Sequence, residues 1–216
     1  FLINNQGKIV AGNYLDEEGS VSAFAQASGQ LYATAMNDLG MIVGRRIPGE
    51  AFNYEDGILS DALLDSPADI NSRGQAVGHI SGIGAAMVLN GQVTPLPSVP
   101  KYPHYSIANT INNAEVAAGI VSEWGKNMAV VWSNGVPQLL SAEVHTSTAV
   151  DINEQGLVGG HFWEAAFGYD QSISPSANDH ACFWGDGRMV DIHGLGANTE
   201  KSWASAVNNA GVILGN

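Results

Sequence analysis

One phrase returns six times along the chain: "INNQGKIVAG" at 3–12, then "MNDLGMIVG", "INSRGQAVG", "INNAEVAAG", "INEQGLVGG" and "VNNAGVILG". Aligned on the asparagine, the copies fall at Asn4, Asn37, Asn71, Asn112, Asn153 and Asn208, at intervals of 33, 34, 41, 41 and 55 residues. A repeat of about 40–45 residues built from four short strands is the spacing of propeller blades. Helical repeats of similar length need apolar residues recurring at a period near 3.6, and no such run is sustained here.

Each repeat reads as four strands. The first holds "LYATAMN", "SIANTIN", "STAVDIN" or "SWASAVN", with a small or compact residue four places before the asparagine: Ala33, Pro67, Ala108, Ala149 or Ala204. Such residues suit a crowded strand near a central axis. The second strand is the "IVAG" portion. The third pairs Ala with a bulky residue and often ends on an aromatic, as in "SAFAQ", "EAFNY", "AAMVL", "MAVVW" and "HACFW", which makes Trp132 and Trp184 core residues. A glycine (Gly29, Gly57, Gly91, Gly135 or Gly187) then turns the chain into a fourth, outermost strand, where Pro137 is tolerated at a free edge.

In N-x-x-G the asparagine side chain accepts a hydrogen bond from the backbone two residues on, and the glycine supplies the positive φ of a short bulged hairpin. Asn4/Gly7, Asn37/Gly40, Asn71/Gly74, Asn153/Gly156 and Asn208/Gly211 therefore read as structural turns rather than as catalytic or ligand-binding residues. The fourth copy departs from the pattern: Glu115 takes the glycine position, so that turn is expected to differ or to carry strain.

Laid out this way, the chain resembles the HAF-repeat family of bacterial, often extracellular proteins. Those repeats join an "IN-x-x-G-x-V-V-G" segment to "H-A-F-x-W" and "G-x-M-x-D-L-G"; here "HACFWGDGRMVDIHGLG" at 180–196 matches best and "EAFNYEDGILSDALL" more weakly. The histidine of the signature survives only as His180. The resemblance covers essentially the whole chain and implies an all-β, β-propeller fold without a shared chemistry. It also implies a secreted or surface-displayed protein, with the periplasm as the other compartment.

The repeats divide the chain at 3–36, 37–70, 71–111, 112–152 and 153–207, with a partial sixth at 208–216. The reading is a single β-propeller domain over 1–216, made of four-stranded antiparallel blades: five complete repeats plus half of a sixth. A six-bladed ring is preferred and a five-bladed ring is the alternative. The opening on Phe1 and the clipped first repeat read as a fragment of a longer protein, with self-association through terminal strands as one consequence.

Composition narrows the function. Eight basic against 21 acidic residues give a net charge of −13, which repels phosphate backbones and argues against nucleic acid. No apolar run reaches the roughly 20 residues of a membrane helix, so membrane insertion is not expected. The lone Cys182 excludes an internal disulfide and any CxxC site. Nucleophile-elbow, zincin, phosphate-loop and EF-hand motifs are absent, and no cofactor is indicated. The acidic stretch Asp16, Glu17 and Glu18 lacks the alternating spacing of a calcium loop and reads as a solvated turn.

Function is sought where the copies disagree. The insertion 161–180, the junction "PSVPKYPHYS" and the added "SEWGKN" bring Trp124, Trp163, Phe167, Tyr169 and Tyr102 toward one rim, with Trp203 near and Glu123, Glu164 and Asp170 among them. Aromatic faces interspersed with carboxylates suit a glycan or a protein partner, while the alternative is an aromatic cap with no ligand. His161, Asp179 and His180 flank the insertion and supply the donor types of a metal site, though spacing gives that reading little support. The chain thus reads as a non-enzymatic binding or scaffolding module. The alternatives are a carbohydrate-active enzyme (lyase or glycosidase) and a structural unit assembling through its ends.

Overall fold

The structure, a computed structural model, describes residues 2–17, 19–24, 29–140, 146–163, 179–195 and 201–216. Among these residues the secondary structure is antiparallel strand throughout, apart from a short 3-10 turn at His193–Leu195. The first sheet is Leu2–Ile3, Ile9–Ala11, Tyr14–Glu17 and Ser20–Ala23; the second is Gln30–Met36, Ile42–Ile47, Ala51–Glu55 and Ile58–Asp61. The third is Ser66–Ile70, Ala76–Ile80, Gly84–Leu89 and Gln92–Pro95. The fourth is Tyr105–Ile111, Ala117–Glu123, Lys126–Ser133 and Val136–Leu139, and the fifth is Thr146–Ile152, Val158–Trp163, Asp179–Gly185 and Arg188–Asp191. A two-stranded sixth sheet joins Ala204–Val207 to Ile213–Gly215. In every sheet the strands follow one another as a simple meander.

The chain forms two compact units, Phe1–Pro95 and Leu96–Asn216, each carrying three of these sheets. Within the first unit, Val10, Leu15, Phe24, Leu31, Ile42 and Phe52 form one buried cluster. Ala35, Val43, Leu64, Ile70, Ala76 and Ala86 form a second. In the second unit the first strand of the fifth sheet packs across the first three strands of the fourth, and the sixth sheet packs on the fifth. Trp132 and Trp184 are buried there, as expected of third-strand aromatics, and the Trp132 Nε1–H donates to Pro97 O at 2.8 Å.

The recurring asparagine builds the same turn six times. In the first, the Gly7 N–H donates to Asn4 O at 3.0 Å and the Asn4 N–H to Lys8 O at 3.1 Å. Asn4 Oδ1 also accepts the amides of Gln6 and Lys8, at 3.1 and 2.9 Å. The closing bond recurs from Gly40 to Asn37 O, Gly74 to Asn71 O and Gly211 to Asn208 O, each at 3.0 Å, and from Gly156 to Asn153 O at 3.1 Å. These four glycines stand at φ of 82°, 78°, 78° and 82° in that order, the left-handed region the turn requires. Glu115 does not alter this geometry. It adopts φ 63° and donates its amide to Asn112 O at 3.2 Å, so the fourth turn carries its departure as a left-handed non-glycine residue rather than as a different loop.

Two of these positions correct the reading that the glycine only bends the backbone. At Gly40 a Cβ would stand 2.8 Å from Lys8 Nζ, and at Gly74 it would stand 3.0 Å from Met41 Cε, so the preceding repeat lays a side chain over the turn. Gly211 leaves a Cβ in ordinary contact with Leu157 at 4.0 Å, and Gly156 has nothing within 4 Å, so at these two the backbone dihedral alone calls for glycine.

The asparagine likewise does more than bend the backbone, because its amide nitrogen reaches the next repeat. Asn4 Nδ2 donates to Asn37 O at 3.1 Å, and Asn37 Nδ2 to Asn71 O at 2.9 Å. In the second unit Asn112 Nδ2 donates to Asn153 O, and Asn153 Nδ2 to Asn208 O, both at 3.0 Å. The next residue repeats the direction: Asn5 binds the Asp38 carboxylate through its N–H and Nδ2, both at 3.0 Å, and Asn113 does the same to Glu154 at 3.0 and 2.7 Å.

The glycine that closes each phrase has a steric origin. The first strands of the second to sixth sheets carry a one-residue bulge opposite Gly44, Gly78, Gly119, Gly160 and Gly215. A Cβ on Gly119 would lie 2.0 Å from Ile107 O and 2.9 Å from the Ala108 Cα, so neither chain can thicken there. That crowding accounts for the small or compact residues at Ala33, Pro67, Ala108, Ala149 and Ala204. In the first sheet the corresponding residue is Ala11, where the first strand is only Leu2–Ile3 and no bulge crowds it.

Two expectations about the strands are also corrected. The third strand of the first sheet is Tyr14–Glu17, not "SAFAQ", and its turn to the fourth strand carries Gly19 rather than Gly29. The apolar signal at 22–26 comes from Phe24, which lies just past the fourth strand and packs edge-on against Tyr54 at 4.8 Å. The sheets also begin one strand before each asparagine. The divisions at 3–36, 37–70, 71–111, 112–152, 153–207 and 208–216 therefore cut sheets rather than separate them, since the strand Gln30–Met36 belongs with those after it.

Candidate functional site

Two-residue hairpins in which both central residues have positive φ recur through the chain. Asp56-Gly57, Asn90-Gly91, Asn134-Gly135 and Asp186-Gly187 each join a third strand to a fourth, with φ near 50° at the first residue and between 72° and 82° at the second. Asparagine and aspartate tolerate that first position, and glycine is at home in the second. Between the second and third strands of the fourth sheet the same hairpin is made by Trp124-Gly125, with φ of 50° and 81°. A bulky residue held left-handed costs about 1–2 kcal/mol.

The indole gains little burial in return, because Trp124 is 85% exposed. Its neighbour is the His104 ring, centroid to centroid 4.5 Å and tilted by 50°. The His104 N–H donates to Ser122 O at 3.2 Å, which ties this junction to the hairpin's own strand. Glu123 and Lys126 face one another at the base of the turn, and Tyr105, 43% exposed, opens the first strand beside it. The tip therefore presents an open aromatic face, an imidazole, a carboxylate and an ammonium group.

The other residues expected on this rim are placed differently. Tyr102 is 3% exposed, with its N–H donating to Val99 O at 2.7 Å and its own carbonyl accepting from Ser98 Oγ. Its ring is a packing element and offers no face to a ligand. Trp163 is half-buried at the end of its strand, opposite Asp179 and Thr146. Trp203 is half-buried, and its N–H and carbonyl both pair with Asn216. Glu164, Phe167, Tyr169, Asp170 and Glu18 lie outside the described residues.

Paired strands do not bring His161 and His180 together. His161 opposes Ala181, and His180 opposes Phe162, so the two imidazoles stand on opposite faces of the fifth sheet. Burial lowers the His161 pKa below its ordinary 6.5, with Asp179 pulling weakly the other way, and its Nδ1 is buried without a hydrogen bond. His180 instead pairs with Asp191 at 3.0 Å and stacks on His193, with centroids 4.1 Å apart and planes 5° from parallel. His193 Nδ1 lies 2.7 Å from Ser202 Oγ, which also accepts the Ala181 amide at 2.9 Å. The carboxylate and the hydroxyl thus sit on different imidazoles, so no Asp-His-Ser relay forms. Among the described residues no group of three His, Cys, Asp or Glu converges as a metal site. Burial, followed by Asp191 opposite it, pushes the Cys182 thiol far up, which keeps it protonated and unreactive.

The repeat gives no sign of a second concavity. A cleft of about 570 Å³ opens in the first unit between the hairpin after Ile42–Ile47 and the junction of the second and third sheets. Arg45, Arg46, Glu50 and Asp65 supply its charge, and Ile47, Pro48 and Leu64 part of its apolar wall. The sequence does hold one signal: Arg45-Arg46 is the only adjacent basic pair in a chain with 8 basic residues.

No protein-family model matches this chain, and no curated protein matches it at a significant level.

Proposed function

We propose that the chain is a non-enzymatic binding module of β-propeller type, with the successive four-stranded sheets as its blades, and that it recognises a saccharide through Trp124. Packing of consecutive sheets against one another within each unit and the sequential meander of every sheet support the blade reading. The likeness of its repeats to HAF repeats supports a secreted or surface-displayed protein.

One observation carries the ligand reading. Trp124 occupies a left-handed hairpin position that the third-to-fourth-strand turns of the same geometry give to Asp or Asn, and it leaves its indole in solvent. Strain of this kind persists where a side chain is held out for a purpose, and an exposed indole flanked by ionic and imidazole groups suits the C–H face and hydroxyls of a sugar ring. Pure capping is disfavoured, since a capping indole would be covered.

A panel of immobilised neutral glycans tests this directly. The wild-type chain is expected to retain at least one glycan class, and Trp124→Ala to lose it by about tenfold or more. Trp124→Asn restores the residue type the turn prefers, so it is expected to fold at least as well as wild type and still fail to bind. A panel that captures nothing, or capture undiminished in both variants, would each remove the saccharide reading.

A further inference from the structure

We infer that the cleft in the first unit is a separate binding site for an acidic saccharide, with Arg45 receiving the carboxylate of a uronate residue. Arg45 is held in place by hydrogen bonds to uncharged groups rather than by a carboxylate. Its Nη2 donates to the backbone carbonyl of Asp65 at 3.1 Å and to Ser66 Oγ at 2.5 Å, so neither fixed partner brings a formal charge. Arg46, by contrast, is paired with the Asp61 carboxylate at 2.5 Å. The Asp65 carboxylate is hydrogen-bonded elsewhere: its Oδ2 accepts the Ser81 amide at 2.6 Å. That bond, then the Ser81 hydroxyl, and more weakly the charges of His79 and Arg45, hold the Asp65 carboxyl below its usual range, so at neutral pH it is an acceptor only.

This arrangement selects among anions. With Nη2 spent on Asp65 O and Ser66 Oγ, Arg45 retains its Nε–H and the two Nη1 hydrogens, and a carboxylate can be met through Nη1. Glu50 and Asp65 on the same wall oppose any anion and oppose a dianion about twice as strongly, which ranks a monoanion above phosphate. The same two acidic groups accept hydrogen bonds from hydroxyls, while Pro48 and Leu64 offer apolar surface to a ring face. A volume of about 570 Å³ accommodates one or two sugar rings. A hydroxylated ring bearing one carboxylate satisfies all of these groups at once.

The site lies in a different unit from Trp124, so the two can be tested apart. Titration calorimetry of the full chain with digalacturonate is expected to give saturable binding. The neutral counterpart, digalactose, should bind at least about tenfold more weakly, and inorganic phosphate should not compete. Arg45→Gln is expected to lower the digalacturonate affinity by about tenfold, with Arg45→Lys intermediate because it keeps the charge and loses the planar group that Asp65 O and Ser66 Oγ hold in place. Trp124→Ala should leave it within about twofold of wild type. Raising salt from about 50 to about 500 mM should weaken uronate binding and spare any neutral-sugar binding. Equal binding of the neutral sugar, unchanged affinity in Arg45→Gln, preferential binding of phosphate, or no uronate binding by the wild type would each overturn the inference. The first, third and fourth of these need no variant to fold.

Discussion

Glu115 tests how far one residue can depart from a repeat. The other five turns place glycine here (Gly7, Gly40, Gly74, Gly156 and Gly211) at φ between 77° and 82°, and Glu115 reproduces the conformation at 63°. Holding a side chain left-handed costs about 1–2 kcal/mol, whereas glycine adds about 0.5–1 kcal/mol of unfolded-state freedom to be lost on folding. The balance favours glycine, so Glu115→Gly is expected to stabilise the chain by about 1 kcal/mol, read as a higher urea midpoint at unchanged slope. Glu115→Ala keeps the Cβ and therefore the strain, and should bring no such gain. A Glu115→Gly midpoint at or below wild type would show that the surrounding turn, rather than the dihedral, sets the energy. The glycines of the bulges obey a different rule: Gly44, Gly78, Gly119, Gly160 and Gly215 lack positive φ and are fixed by a carbonyl 2.0–2.2 Å from where a Cβ would stand.

At the scale of the element, the same directional bond joins the first sheet to the second and the second to the third in one unit, and the fourth to the fifth and the fifth to the sixth in the other. Asn71 Nδ2 instead donates to Gln75 Oε1 within its own turn. Asn112, 3% exposed, holds its own turn with Oδ1, through the amides of Ala114 and Val116 at 3.0 Å, and grips the next repeat with Nδ2. Asn112→Asp separates the two roles, since it keeps the acceptors and deletes the donor. If the turn were the whole function, the substitution would be nearly neutral. With the clamp, it sets a buried carboxylate against the Asn153 carbonyl and should destabilise by about 2–3 kcal/mol, reduced at low pH where the acid is protonated. Chemical denaturation at pH 7 and pH 4, each against wild type at the same pH, reads both effects, and a neutral outcome at pH 7 would return asparagine to a purely local role. This division also explains what the sequence could show. Local geometry is written in short spacings, so the six turns and the four-strand reading of most repeats were legible. A donor that reaches 33 to 55 residues along the chain leaves no local trace, and the first sheet misled because Phe24, its strongest apolar residue in that stretch, lies outside the strand it resembled. Trp124 stood out in the sequence as an aromatic in an added loop, but its left-handed turn did not, because the same residue type fits a core strand at Trp132. The arginine cleft is assembled from a hairpin and an inter-sheet junction, and only its adjacent basic pair was visible beforehand.

Over the whole molecule, the charge balance sets a different energy scale. Twenty-one acidic and 8 basic residues leave −13 on a chain of 216 residues, and ion pairs such as Arg46–Asp61 can draw on no more than those 8 cations. Exposed pairs contribute about 0–1 kcal/mol each, while diffuse repulsion among like charges acts over the whole surface and is relieved on unfolding. Salt therefore weakens the few attractions less than it weakens the many repulsions. The urea midpoint is expected to rise as NaCl goes from about 0.01 M, where the screening length is about 30 Å, and to level off by about 1 M, where it is about 3 Å. Levelling off separates screening from solvent-exclusion effects, which continue to grow with concentration. A midpoint that falls with salt would mean that specific ion pairs, and not the excess of carboxylates, govern the stability of the fold. The same excess makes Arg45 informative: a uronate bound there should be released by salt while salt strengthens the fold around it, so the two responses run in opposite directions.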